Sequence, residues 1–303
     1  MPATPELWRS AFSISGNYDV TELSDGRILV SFQNSGELRG RLFDQLGNPQ
    51  GGSFQLNNVW TDNDQEFPNI SALTDGGWVV VYEDAFSIRT GIRMERYDSD
   101  GVRVDQDSVA AVTDIAHFSA QVATSSASSV LVAYSKYDPD EGSGRYNTNH
   151  DVHFRMYNPV TGTQDSEVSL SIFSGEQSEV HDITVLNNGN YVIAVRGLDV
   201  TLGFDGGQTV DVRDTFISYA IISESGTIVR LPTVAASADL TPISRSFNVD
   251  EPAITALDGG GFVMAWEENA VLAPGIFRIA HQVFDSNGLA IGSPKFIESG
   301  SLI

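Results

Sequence analysis

The chain has 303 residues, 41% of them hydrophobic, enough for a packed core in one large domain or two ordinary ones, and no apolar run reaches the roughly 18–20 residues that span a bilayer. Forty acidic residues against 17 basic ones leave a net charge of -23, which repels phosphate backbones and anionic lipid heads and so disfavours nucleic-acid binding and membrane insertion. With no cysteine, disulfides, thiolate chemistry and Cys-ligated zinc or iron–sulfur centres are excluded.

The opening MPATPELWRS lacks the basic start and apolar stretch of a Sec-type signal peptide, which leaves a cytoplasmic chain, another export route, or a domain excised from a longer protein. Ser10 to Ile14 reads as a short strand ahead of the first repeat. The first repeat then pairs a strand at Val20-Thr21-Glu22-Leu23 with a β-rich run at Ile28 to Phe32, across the turn Ser24-Asp25-Gly26. A third strand ends at Phe43-Asp44-Gln45-Leu46-Gly47, and a fourth covers Ser53 to Leu56. The same order recurs. Ile70 to Leu73 precedes Thr74-Asp75-Gly76 and the run Trp78 to Tyr82. A degenerate Ala120 to Thr124 precedes Val130 to Tyr134. Ile183 to Leu186 precedes Asn187-Asn188-Gly189 and Tyr191 to Val195. Ile254 to Leu257 precedes Asp258-Gly259-Gly260 and Phe262 to Trp266. The later third strands end at Tyr97-Asp98-Ser99-Asp100-Gly101, Tyr157-Asn158-Pro159-Val160-Thr161-Gly162, Ile222-Ser223-Glu224-Ser225-Gly226 and Phe284-Asp285-Ser286-Asn287-Gly288, and Lys295 to Ile297 is the last fourth strand. These ends have the composition of tight hairpin turns and are read as such, not as metal loops.

Five copies of a four-stranded antiparallel unit, at about 18–59, 65–112, 116–173, 178–237 and 247–300, predict an all-β fold: a single five-bladed β-propeller over 1–303, with residues 1–17 as a ring-closing strand. One such meander cannot bury both faces alone, whereas blades stacked about an axis bury each other's flat sides. No segment sustains a 3.6-residue apolar period, so almost no helix is expected.

Asp-Gly-Gly followed by an aromatic residue, a β-branched run and Trp/Tyr-Glu, as in residues 75–83 and 258–267, and then Phe284-Asp285-Ser286-Asn287-Gly288, resembles propeller-like repeat modules of large secreted proteobacterial proteins that accompany calcium-binding RTX nonapeptides. The resemblance covers most of residues 18–300 and rests on blade-building residues; the third and fourth copies depart from it with insertions and lost glycines, and the nonapeptide itself is absent. It implies an extracellular or cell-surface setting and a role in adhesion or binding, and it transfers no catalytic residue.

In a propeller the loops joining second strand to third, and fourth to first, share one face, where function generally sits. Two of these are predicted as long acidic insertions, Lys136 to Asp151 and Gly197 to Asp214, carrying Asp138, Asp140, Glu141 and Asp151 in one and Asp199, Asp205, Asp211 and Asp214 in the other. With Asp62, Asp64 and Glu66 between the first two repeats, these are candidate calcium ligands, because oxygen-rich loops suit that ion; the alternative is solvated charge. His150 and His153 flanking Asp151 form a weaker metal candidate. Trp60 lies in a loop on the same face and offers a ring for stacking on a sugar, or packs under its loop.

Aligning the copies on Leu23, Leu73, Leu186 and Leu257 puts Asp19, Asn69, Asp182 and Ala253 at one level of the innermost strands, with Glu66, His117, Glu179, His181, Asp250 and Glu251 just upstream. Five-bladed glycosidases of the arabinanase type gather an acid and a base carboxylate at this location, and Asp19 with Asp182 or Glu251 is a pair of that kind; the bland reading is a polar rim on a wet tunnel. The expected function is a non-catalytic binding or adhesion module that meets a carbohydrate or protein partner on this face. The alternatives are a glycoside hydrolase-like enzyme using Asp19, Asp182 and Glu251, and an architectural spacer in a large surface protein.

Overall fold

Hairpin follows hairpin through the described residues. The computed structural model describes residues 17–86, 89–111, 115–137, 150–170, 177–205, 208–238, 247–270 and 277–298, and among them there is no helix. The first repeat is a four-stranded antiparallel sheet of β1 (Tyr18–Glu22), β2 (Ile28–Asn34), β3 (Glu37–Phe43) and β4 (Pro49–Gln55). The second is built alike from β5 (Asp64–Ala72), β6 (Trp78–Phe86), β7 (Arg89–Tyr97) and β8 (Arg103–Ala110). The third has β9 (His117–Thr124), β10 (Val130–Tyr137) and β11 (His150–Asn158), with its outer edge split into β12 (Thr163–Gln164) and β13 (Val168–Ser169). Then come β14 (Gln177–Val185), β15 (Tyr191–Asp205), β16 (Gln208–Ile222) and β17 (Ile228–Ala238), and finally β18 (Phe247–Ala256), β19 (Phe262–Ala270), β20 (Phe277–Phe284) and β21 (Ala290–Glu298).

Hydrogen bonding does not divide these strands into five separate sheets. Three are four-stranded, and the third and fourth repeats merge into one nine-stranded sheet through a single parallel pair, His150 with Gln177. The cause is local. The third copy's broken outer strand leaves the start of β11 uncovered, and β14 begins against it.

The turns behave as their residues dictate. Gly26, Gly76, Gly189 and Gly260 all take the left-handed conformation at the first hairpin, and Ser128 takes it in the degenerate copy. The second turns close on side chains: Asp44, Asp98 and Asp285 each accept backbone N–H groups two and four residues ahead. One expectation needs correcting. Gly197 to Asp214 is no loop but an extension of the β15–β16 hairpin, paired in register out to Asp205 with Gln208. Its β-branched residues, among them Val200, Thr201, Val210 and Val212, suit a strand, and the scattered aspartates masked that pattern.

Packing explains why the second strand of a repeat is apolar on both faces. Trp78, Val80 and Tyr82 of β6 join Leu29 and Leu38 of the first sheet, while Val79 and Val81 join Val122, Val130 and Tyr134 of the third repeat. Likewise Tyr191, Ile193 and Val195 face the third repeat, and Val192 and Ala194 face Phe262, Met264 and Trp266 of the last. Among the described residues no matching cluster joins the last sheet to the first; Val263 and Ala265 on one side, and Ile28 and Val30 on the other, stay half-buried. The predicted ring-closing segment, Ser10 to Ile14, lies outside the described residues.

Candidate functional site

The first strands of all five repeats converge on one cavity of about 580 Å³, with Asp19, Asn69, Gln121, His181 and Glu251 in its wall. Four of these strands carry a one-residue bulge where they reach it: at Phe67-Pro68, at Ser119-Ala120, at His181 and at Glu251-Pro252. Phe67, Ser119 and Glu251 accordingly adopt φ of 50°, 54° and 49°, left-handed values that residues with a Cβ rarely take. The bulges break the alternation of the strands and re-aim side chains at the cavity.

At the level identified from the leucine alignment, side chains join one sheet to the next. An innermost strand presents backbone N–H groups with no ladder partner on that side. Asp19 Oδ2 accepts the N–H of Ile70 at 2.7 Å and the side-chain amide of Asn69 at 3.0 Å. Asn69 Oδ1 in turn accepts the N–H of Val122 at 2.7 Å, and Asp182 Oδ2 that of Ile254 at 2.9 Å. Each side chain thus latches its strand to the next repeat. Where the preceding copy offers Gln121 or Ala253 instead, no such bond reaches the next strand, and Asp182 Oδ1 and Asp19 Oδ1 turn back onto the N–H of Ile183 and Val20. Both aspartates are pushed above the ordinary carboxylate range by burial, partly offset by these N–H donors, and the charge of Asp19 adds to the rise at Asp182.

Of the residues expected upstream, the structure brings Glu179, His181 and Glu251 together at the wall. His181 stands between them, Nε2 4.0 Å from Glu179 and Nδ1 4.0 Å from Glu251. Burial holds its imidazole below the usual histidine range despite those carboxylates, so it is neutral near pH 7. Glu66, His117, Asp182 and Asp250 are not in the wall. Glu66 accepts from Gln33 at 3.5 Å, His117 Nδ1 lies 3.2 Å from the carbonyl of Thr90, and Asp250 is paired with Arg196 at 2.7 Å. Trp60 is not there either: it packs on the core between the first two sheets, with the Arg93 guanidinium 4.7 Å over its ring.

Sequence reasoning missed Glu83. It ends the apolar run of β6, is 7% exposed, and lines the cavity. Its Oε1 accepts the N–H of left-handed Ser119 at 2.7 Å. Burial pushes its carboxyl up to about 7, against the pull of that bond and with a further push from Glu66. The signal available was an acid closing an otherwise apolar strand, where the other copies place Gln33, Ser135, Arg196 and Glu267.

Only part of the metal candidates falls on described residues. Among the described residues no group of three or more His, Asp and Glu could hold an ion. Asp62 and Asp64 line a separate polar cavity of about 400 Å³ with Glu37, whose carboxylate already accepts from Gln55 and Asn57. Asp138, Asp140 and Glu141 lie outside the described residues, as do the side chains of Asp199, Asp205, Asp211 and Asp214. His153 Nδ1 sits 3.2 Å from Glu167, and His150 packs edge-on against Phe118.

No family model matches the chain, and no curated protein matches it significantly in sequence. Solved structures do match. A Penicillium chrysogenum α-L-arabinanase complexed with arabinobiose is 10% identical, with a TM-score of 0.53 and 94% of this chain and 93% of that chain covered. An endo-arabinase from Bacteroides thetaiotaomicron is also 10% identical, with a TM-score of 0.52 and coverage of 95% and 94%. A Dyadobacter fermentans protein of unknown function is 9% identical, with a TM-score of 0.54 and coverage of 94% and 83%. The likeness is one of fold: all-β, built on four-stranded antiparallel sheets. Neither of the two with a stated activity is an adhesion module or an RTX-associated repeat protein; both are enzymes. The expectation of a non-catalytic binding or adhesion module is therefore withdrawn.

Proposed function

We propose that the chain is a carbohydrate-active enzyme of glycoside hydrolase type on a five-bladed propeller, working at the cavity where the five first strands meet. Support for the blade number comes from that convergence and from the single residue pair that alone fuses the third and fourth repeats. Support for catalysis comes from one observation above the rest. A buried carboxyl, Glu83, pushed up to about 7, lines the same cavity as the exposed carboxyl group of Glu251.

Two carboxyl groups in unlike surroundings are what glycosidic cleavage needs. Glu83, with Oε1 engaged by Ser119, offers the proton of its other oxygen to the departing sugar oxygen. Glu251, its side chain 70% exposed and set beside neutral His181, takes a proton from the attacking water. Asp19 and Asp182, the acids favoured by the alignment, are assigned to latching sheets, because both oxygens of each already accept N–H groups.

The test is release of reducing sugar from a panel of polysaccharides that includes arabinan. Glu83→Gln and Glu251→Gln are each expected to lower kcat by about 10²–10⁴-fold with the fold retained. Release that is unchanged in both variants, or absent from the parent protein on every polymer, would overturn the proposal.

A further inference from the structure

We infer that the cavity takes a neutral saccharide, stacked face-on against Phe67 and Tyr18, and turns away uronate and sulfated polymers. This rests on reading the cavity as the carbohydrate site.

Two aromatic rings stand open in its wall, Tyr18 at 70% and Phe67 at 46% exposure. Exposed single apolar residues are ordinary, but Phe67 is held out by a bulge and a left-handed backbone that a bulky side chain adopts only at a cost. An apolar ring so placed suits the C–H face of a pyranose or furanose. The polar complement is one-sided. Asp19, Glu83, Glu179 and Glu251 are in the wall, and none of the described residues there is Lys or Arg. The nearby guanidinium of Arg196 is spent on Asp250 at 2.7 Å and Glu179 at 3.7 Å. Carboxylates accept hydrogen bonds from sugar hydroxyls. A uronate or sulfate brought beside Glu179 and Glu251 would meet like charge, and no Lys or Arg among the described wall residues offsets it. The cavity's size is that of an ordinary small-ligand site, so one or two sugar rings, not a broad polymer face, set the preference.

Affinity electrophoresis at low salt separates this from the catalytic reading, because it needs no turnover. Gels carry arabinan, galactan, xylan or mannan on the neutral side, and polygalacturonate or chondroitin sulfate on the anionic side; arabinobiose serves as soluble competitor. Retardation is expected in at least one neutral gel and in no anionic one. Phe67→Gly, which relieves the backbone while removing the ring, and Tyr18→Ala are each expected to weaken retention about ten-fold, and Phe67→Tyr to preserve it. Stronger retention by an anionic polymer, no retention by any neutral one, or undiminished neutral binding in a variant carrying both Phe67→Gly and Tyr18→Ala would overturn the inference. Neutral binding that depends on Phe67 without any sugar release would leave it standing and remove only the hydrolase reading.

Discussion

Glu83 makes stability as well as chemistry depend on pH. Burial pushes its carboxyl up to about 7 in the folded chain from about 4.5 when unfolded, so between those values the folded state holds a proton that the unfolded state has released. Stability therefore falls as pH rises through that window, by on the order of 3 kcal/mol once both limits are passed. Glu83→Gln removes the titration. Urea midpoints for the variant are expected to decline less than the parent's between about pH 4.5 and 8, the difference between the two being the Glu83 contribution, and the variant is expected to be the more stable of the two at about pH 8. At Asp182 the expectation is opposite in kind. Asp182→Ala leaves the Ile254 N–H without its acceptor and is expected to cost about 1–3 kcal/mol, whereas Asp182→Asn keeps a carbonyl oxygen there and is expected to cost less than half as much. Denaturant unfolding of the two variants separates a latch from a catalytic acid. The level of Asp19, Asn69 and Asp182 was legible from aligned leucines. Their partners were not, because each bond crosses from one repeat to the next and the same residue types would suit a catalytic rim.

Among elements, the first hairpins of the second and fifth repeats share a second glycine for a stated reason. A Cβ on Gly77 would stand 2.2 Å from the carbonyl oxygen of Tyr97, and one on Gly261 2.2 Å from that of Phe284. The hairpin thus lies directly against the end of the third strand. Gly77→Ala is expected to destabilise by more than about 2 kcal/mol through displaced backbone, measured as a lowered denaturation midpoint with an unchanged m-value. The other repeats place Arg27, Ser129 and Asn190 at this position. Strand order, turn positions and the doubly apolar second strands could be read from period and composition, since they follow from residues close in sequence. The β15–β16 extension and the first-strand bulges could not. A bulge is one extra residue judged against a partner strand, and Phe67, Ser119 and Glu251 have nothing local that demands a left-handed backbone.

For the molecule as a whole, four apolar layers hold consecutive repeats face to face, and the row of side-chain latches runs beside them. Both features lapse at one place. Ala253 has no acceptor to offer, and the half-buried Val263 and Val30 belong to no layer among the described residues. Deuterium uptake gives this meaning in time. The amide of Val20, bonded only to its own neighbour Asp19, is expected to exchange sooner than those of Ile70, Val122 and Ile254, and equal protection across the four would contradict it. A fold assembled from near-identical wedges would otherwise have no preferred point of failure. Here, among the described residues, the side that follows Ala253 lacks both latch and apolar layer, whereas the side that follows Gln121 lacks the latch alone, so opening on warming is expected to begin at the former.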